Sequence, residues 1–366
     1  MPDSQSSDHT VKTVPSDWKE QVLQYQTPSL WRAIWQITNS FTLYALFWYL
    51  AYTTLIDSIW LSMLFSTCAA GMLIRIFIIF HDCGHGSFFK SAMANNVVGF
   101  ITGALTLTPY YQWRWEHSVH HATSGNLDKR GIGDIWTLTM KEYLEGSAFL
   151  RFRYKVARNP VVIFVIAPVL LFALYQRIPN PKGNPREKRS VYLMNVAILA
   201  MAVGMSYLIG WQSYLVIQLF ITAVGSGAGI WMFYVQHQFD DTHWEHTEEW
   251  DYATAAIHGS SFYKLPKFWT WVTGNIGYHH IHHLSSRIPN YNLARAHRDL
   301  PFSEDIKPLT FWTSLKSLTL RLWDEDQKKL VGYRELRAKR RALKKDALEA
   351  GVAKLQQHKA QTGSKA

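Results

Sequence analysis

The sequence predicts an all-α membrane protein, in which four transmembrane helices and two short re-entrant or interfacial apolar segments support a cytoplasmic helical cap that holds a metal site. Three observations predict this fold. Long apolar segments alternate with polar stretches, aromatic residues make up 14% of the chain, and histidines are concentrated in three clusters. A high aromatic content suits the belts at membrane interfaces. The mean hydropathy of −0.10 requires that a large polar part of the 366 residues lies outside the bilayer.

Six apolar segments decide the number of spans. A helix that crosses a bilayer needs about 20 apolar residues, with a range of roughly 17–25. Two segments are shorter than this range. The segment 97–109 has 13 residues and ends at Pro109, and 161–176 has 16 residues and carries Pro168 in its middle. We expect both to be re-entrant or interfacial. The four spans are expected in the remaining segments, 41–57, 59–80, 191–209 and 212–235.

The loop 177–190 orients these segments. It carries five basic residues and one acidic residue, and basic loops stay in the cytoplasm. If 161–176 dips into the bilayer and returns, all three histidine clusters reach the cytoplasmic face, as do both termini. The turn Ile209-Gly210-Trp211 then lies outside. We expect three regions: 1–40 as a cytoplasmic segment, 41–325 as the membrane domain with its cap, and 326–366 as a basic cytoplasmic tail.

The histidine clusters have the spacing of metal ligands. Nine of the sixteen histidines lie in the pentapeptides 81–85 (HDCGH), 117–121 (HSVHH) and 279–283 (HHIHH). Residues three and four apart share one face of a helix, so HxxxH presents two rings and HxxHH presents three. His280 would point elsewhere, to a second layer around the site or to solvent. A structural zinc site needs four ligands, so eight neutral imidazoles indicate two metals with open positions. The selected ligands are His81, His85, His117, His120, His121, His279, His282 and His283.

The net charge of +11 lies mostly in the tail, where residues 328–366 hold twelve basic and three acidic side chains. Such a tail on a membrane protein indicates a segment that faces anionic lipid. A lone basic tail is a poor indicator of nucleic-acid binding, and we expect no such partner. Two cysteines, Cys68 and Cys83, do not support a disulfide framework and suit a reducing compartment. The polar first 40 residues predict no signal peptide.

Extended motifs around the clusters are similar to those of the membrane fatty acid desaturases, in particular the delta-12 (omega-6) branch of bacteria, cyanobacteria and plants. The likeness covers roughly residues 40–325. It is carried by HDCGHGSFF at 81–89, GNLD at 125–128, NIGYHHIHH at 275–283 and RIPNYN at 287–292.

The resemblance implies that histidines hold two iron ions and that O₂ is the co-substrate. Relatives use a further histidine upstream of the third cluster. His237 just after the last apolar segment is the preferred match, and His243 and His246 are the alternatives. Some relatives also use an asparagine-bound water, for which Asn275 is a candidate. Carboxylates that orient metal-bound rings are expected near the clusters. The candidates are Asp82, Asp128, Asp134, Asp240 and Asp241.

The resemblance also implies partners. The substrate would be an acyl chain of a membrane lipid, and the enzyme would lie in a bacterial inner membrane. Because no cysteine cluster for an iron–sulfur centre and no haem domain is evident, a separate ferredoxin or cytochrome b5-like protein would donate electrons. One alternative is a di-iron fatty acyl hydroxylase or related membrane oxygenase. A membrane metal transporter is a second, although transport sites lie at mid-bilayer.

The aromatic residues before the second cluster, Tyr110, Tyr111, Trp113 and Trp115, are expected to form an interfacial belt, with substrate contact as the alternative.

Overall fold

A computed structural model describes residues 14–303 and 306–363. Most of this described part of the chain is helical. The sixteen α-helices within it are α1 Trp18–Leu23, α2 Leu30–Thr53, α3 Ile59–His85, α4 Ala92–Leu105, α5 Tyr110–Thr123, α6 Met140–Glu145, α7 Ala148–Ala157, α8 Ala167–Ala173, α9 Pro185–Ile209, α10 Trp211–His237, α11 Tyr252–His258, α12 Lys267–Val272, α13 His279–Leu284, α14 Asn290–Asp299, α15 Phe311–Ser314 and α16 Tyr333–Gly363.

Within residues 14–303 and 306–363, five short strands supplement the helices: β1 Leu138–Thr139, β2 Phe262–Tyr263, β3 Pro308–Leu309, β4 Leu322–Asp324 and β5 Lys329–Val331. The strand β4 pairs parallel to β1 and antiparallel to β5, while β2 pairs parallel to β3. The expected helical cap therefore also contains two small sheets.

Among the described residues, three helices are long and apolar enough to cross a membrane, namely α3, α9 and α10. They contain three of the four predicted spans. The turn between α9 and α10 is the single residue Gly210, whose φ of +81° favours glycine. Large apolar side chains on α9, including Val196, Leu199 and Val203, are exposed in the protein. An apolar helix face of this size suits contact with lipid.

The other predicted span, 41–57, overlaps α2, which begins at Leu30 and ends at Thr53. Its 24 residues are long enough, but it does not reach the apolar composition of the other three helices. Its polar Gln36 and Ser40 are buried, whereas Trp31 and Trp35 are exposed. The helix α7 and the segment Val162–Arg177 form a further apolar pair, bent by 57°, which is either a broken span or a re-entrant loop. The prediction of a dipping segment at 161–176 matches the second reading. The part of the chain that the structure describes therefore contains three or four candidate spans.

The helix α3 is the centre of the membrane part. The Ser58 side chain accepts a hydrogen bond from the backbone N–H of Leu61 at its start, and Gly86, with φ of +67°, ends it directly after His85. Its buried residues pack with those of α2 and α10 in one apolar cluster that includes Trp48, Ile76 and Ile221. This packing holds α3 in position, and with it the last helical turn and its two histidines.

Candidate metal centre

All three histidine clusters lie on helices, as their spacing predicts. The first occupies the last turn of α3, the second lies on α5, and the third forms most of the short helix α13. A turn before α13, in which Gly274 and Asn275 both have positive φ, directs its histidines inward. The three clusters come from distant parts of the sequence and meet at one place in the fold.

Five histidines form a first group, in which the possible ligand atoms all lie within 4.8 Å of one another. His121 is central, because its Nε2 lies 3.1 Å from Nε2 of His117 and 3.0 Å from Nε2 of His282. The Nε2 of His85 is buried without a hydrogen-bond partner in the described protein. The members of this group are His81, His85, His117, His121 and His282.

A second group forms around His237, the last residue of α10. Its Nε2 lies 3.2 Å from Nε2 of His120 and 3.0 Å from Nε2 of His279. His283 completes this group, and its Nε2 is also buried without a partner in the described protein. Of the three candidates upstream of the third cluster, the structure thus brings His237 to the site.

His243 and His246 lie elsewhere. The backbone N–H of His243 donates to the carbonyl of His258. His246 is about half exposed and pairs with Asp128 at 2.8 Å and with Glu325 at 3.4 Å.

Two carboxylates orient metal-facing rings. Oδ1 of Asp82 lies 3.0 Å from Nδ1 of His81, and Oδ1 of Asp134 lies 2.7 Å from Nδ1 of His120. An ionised carboxylate accepts the Nδ1 proton, which leaves Nε2 of each ring as the free lone pair. Gly133, with φ of +74°, permits the second contact, since a Cβ there would lie 3.0 Å from Cβ of His120.

The other predicted accessory residues have different surroundings. Asp128 bonds to His246 on the surface, while Asp240 and Asp241 pair with exposed lysines. Asn275 shapes the turn before α13 through its backbone, where its carbonyl accepts from the N–H of Tyr278. His280 points away from both groups and places Nε2 3.0 Å from Nδ1 of His297.

The arrangement fits two metal ions. A metal–nitrogen bond of about 2.1 Å places neighbouring ligand nitrogens of one ion roughly 3 Å apart, the separation seen between the paired Nε2 atoms. Hydrogen bonding alone does not explain these contacts, because the one Nε2 of His237 faces two other Nε2 atoms. Neutral imidazole is a good ligand for iron, copper, nickel and zinc.

Burial keeps these rings neutral. It lowers the pKa of His117 and His121 on α5, and of His279, His282 and His283 on α13, well below the ordinary value of 6.5. Neighbouring histidines lower each pKa further, because one protonated ring repels the next. The neutral form is the one that binds metal.

Acid should therefore destabilise the metal-free protein. A histidine whose folded pKa lies below its unfolded value stabilises the fold above pH 6.5, and that contribution is lost as the pH falls below 6.5 toward the folded pKa. Each such histidine costs about 1.4 kcal/mol per pH unit in this window. We expect the melting temperature of the metal-free protein to fall steeply from pH 7 to pH 5. The loss should be smaller in the His282→Ala variant, and an unchanged slope would contradict the neutral cluster.

A cavity of about 470 Å³ reaches both groups of histidines. Its volume lies within the roughly 300–1,000 Å³ of small-molecule sites. Its apolar walls come from α3, α8 and α10, with residues such as Ile74, Phe172 and Gly229. His81 and His117 of the first group and His279 of the second also line it. Polar residues of its wall include Glu116, which accepts a hydrogen bond from Nδ2 of Asn180 at 2.8 Å.

The prediction of an interfacial aromatic belt before the second cluster is wrong for two residues, Tyr110 and Trp113. Tyr110 is buried, and its hydroxyl donates to the carbonyl of Cys83 at 2.6 Å. Trp113 lines the cavity and stacks on His117, with ring centroids 4.3 Å apart. Both lie on the inward side of α5, which the helical phase relative to His117 and His121 could have indicated.

Comparison with known proteins adds independent evidence. A family model described as "Fatty acid desaturase" matches residues 58–313, which include all three clusters. A protein of Bacillus subtilis named "Fatty acid desaturase" is 46% identical over 332 residues, which are 90% of this chain and 94% of that protein. The "sn-1 oleoyl-lipid 12-desaturase" of Picosynechococcus is 27% identical over 68% of this chain and 72% of its own length. The "sn-1 acyl-lipid omega-3 desaturase (ferredoxin)" of Synechocystis is 29% identical over 64% of each chain.

Proposed function

The chain belongs to the fatty acid desaturase family, and we propose that it introduces a cis double bond at the delta-12 (omega-6) position of an acyl chain in a membrane lipid. One observation carries the proposal. An apolar cavity between α3 and α10 ends at histidines of both groups, so that a long hydrocarbon bound there would touch the candidate metal centre. The position of the bond is suggested by the resemblance to the delta-12 branch and by relatives whose names include oleoyl-lipid 12-desaturase and omega-6 desaturase.

Two iron ions would be held by the two groups of histidines. The first would use His81, His85, His117, His121 and His282, and the second His120, His237, His279 and His283. Bound iron would supply the activation of O₂ that side chains cannot perform. The protein's own residues orient and shield this chemistry. Asp82 and Asp134 fix two of the rings, and Trp113 on His117 forms part of the dry wall that an acyl chain would contact.

The electron donor and the orientation in the membrane are part of the same proposal. The Synechocystis relative is named as a ferredoxin enzyme, and a ferredoxin or cytochrome b5-like donor would suit this chain equally. We place the metal centre, both termini and the basic helix α16 on the cytoplasmic side of a bacterial inner membrane. The basic loop before α9 supports this orientation.

Lipid profiling tests the proposed reaction. Expression in a bacterial host that makes oleoyl but no polyunsaturated lipids should yield a new cis diene with its second bond at carbon 12. The His282→Ala variant, expressed at the same level, should yield none. A hydroxylated chain without a diene would instead support the oxygenase, and metal flux with unchanged lipids would support the transporter. A bond at another carbon would overturn only the delta-12 assignment.

A further inference from the structure

We propose that a second, small cavity beside the metal centre is a port for water, through which product water leaves while an acyl chain fills the larger apolar cavity. The proposal rests on the desaturase reaction and on the metal centre described above. It adds a site that neither the acyl cavity nor the histidine ligands account for.

The second cavity has room for one small molecule. Its volume is about 20 Å³, and a site needs roughly 10–15 Å³ to hold a water. His120 and His237, both from the second histidine group, line it. Phe233, Asp134 and Ile135 line both this cavity and the acyl cavity, so they form the wall between the two.

Asn126 supplies a buried hydrogen-bonding group to this cavity. The residue is 1% exposed and lines the cavity, and its Nδ2 has no hydrogen-bond partner within the described chain. The orientation of the amide is fixed, because Oδ1 accepts from the N–H of Asp128 at 3.0 Å and from the hydroxyl of Thr247 at 3.2 Å. A buried donor without a partner costs about 1–3 kcal/mol, a cost that a bound water removes. This gives a role to the GNLD run that follows the second cluster.

The rim of the cavity connects it to solvent. Arg130 and Asp134 line the cavity and remain partly exposed. Arg130 is held in place by Glu142 at 2.8 Å and by carbonyl oxygens of Leu127 and Thr137. Arg130 comes from the same loop that supplies Asp134 to His120. One loop therefore contributes both to the rim of the port and to the support of a ring that the port reaches.

The stoichiometry of desaturation requires such a route. Two C–H bonds of the chain and one O₂ are consumed, together with two electrons from the donor protein and two protons from solvent. The products are one C=C bond and two molecules of water. A bound acyl chain would fill the apolar cavity at His81, His117 and His279, and water that crossed this hydrocarbon would lose its hydrogen bonds. A separate port with hydrogen-bonding side chains in its wall allows product water to leave while the lipid remains bound.

Azide, a small polar ligand of iron, tests the port without turnover. Its association with the iron-loaded protein can be followed by absorption spectroscopy in the presence and absence of saturating oleoyl phospholipid. In the unmodified protein we expect the lipid to leave the association rate nearly unchanged. Ser124→Leu fills the port while keeping the carbonyl that accepts from Trp250 Nε1. It should slow association by about tenfold or more when lipid fills the acyl cavity.

Two further variants separate the port from general damage. Asn126→Asp keeps the Oδ1 acceptor and the shape of the side chain but replaces the Nδ2 donor by a carboxylate oxygen. It should therefore also slow the association of azide. Gly229→Leu adds bulk to the acyl cavity and should leave azide association unchanged. Iron content and melting temperature identify a variant that fails to fold. Exclusion of azide by bound lipid, or an unaltered rate in both port variants with full iron, would overturn the proposal. Failure to bind iron at all would instead contradict the metal centre.

Discussion

His120→Ala is expected to abolish desaturation and to lower the bound iron. The imidazole contacts Asp134 on one side and His237 on the other, so its loss removes a ligand and leaves the Asp134 carboxylate without its histidine partner. Mutation of a residue behind a metal ligand typically costs about 10–100-fold, and loss of the ligand should cost more than about 100-fold. Iron per protein and the yield of diene in the expressing host are the measurements.

A graded series makes this result specific. Asp134→Ala keeps the ligand but removes its support, so activity should fall by about 10–100-fold with a smaller loss of iron. His246→Ala is the matched control, because His246 is a partly exposed histidine that pairs with Asp128 away from the site. The His246→Ala variant should retain both its iron and its activity. Full iron and full activity in His120→Ala would refute the assignment of the second group.

The helical part of the site could be predicted from spacing alone. Residues such as His117 and His121 lie one turn apart, and local geometry places them on one face whatever the rest of the fold does. The selection of His282 and His283 over His280 follows from the same rule, and the structure directs His280 to His297 instead. The boundary between α9 and α10 was also predictable, because Gly210 separates two long apolar segments.

The division of the histidines into two groups could not be predicted. His120 and His121 are adjacent in sequence, yet His121 faces His117 and His282 while His120 faces His237. Which partner each ring meets depends on how α10 and α13 pack against α5. Those contacts join residues more than a hundred positions apart, and periodicity within one helix contains no information about them.

The same limit applies to the carboxylates and to the composition of α2. Asp82, Asp128 and Asp134 all lie close to a cluster in sequence, but only Asp82 and Asp134 contact a clustered ring. The positive φ values of Gly131 and Gly133 bend the loop back onto His120, and sequence proximity does not reveal that bend. The helix α2 packs along α3, and the polar residues that it directs toward the protein core lower its apolar composition.

Gly229→Leu is expected to block the acyl cavity while sparing the metal centre. Gly229 lines the cavity, and a Cβ there would meet no atom within 4 Å, so a leucine side chain can enter without a backbone shift. The residue lies eight positions before His237, about 12 Å along the helix, and is thus remote from the ligands. Competition between the new side chain and an acyl chain should cost about 1–3 kcal/mol, which corresponds to a roughly 5- to 150-fold loss of diene. Shorter acyl chains should be affected less.

Gly204→Leu provides the matched control for this variant. Gly204 also lies within a long apolar helix, α9, and a Cβ there likewise meets no atom within 4 Å, but the residue does not line the acyl cavity. Both substitutions add the same apolar volume and the same gain in helix propensity. Iron content should be normal in both, and only Gly229→Leu should lose activity. Equal activity of the two variants would show that the acyl chain does not pass Gly229, and equal loss would point to a general effect of bulk on these helices.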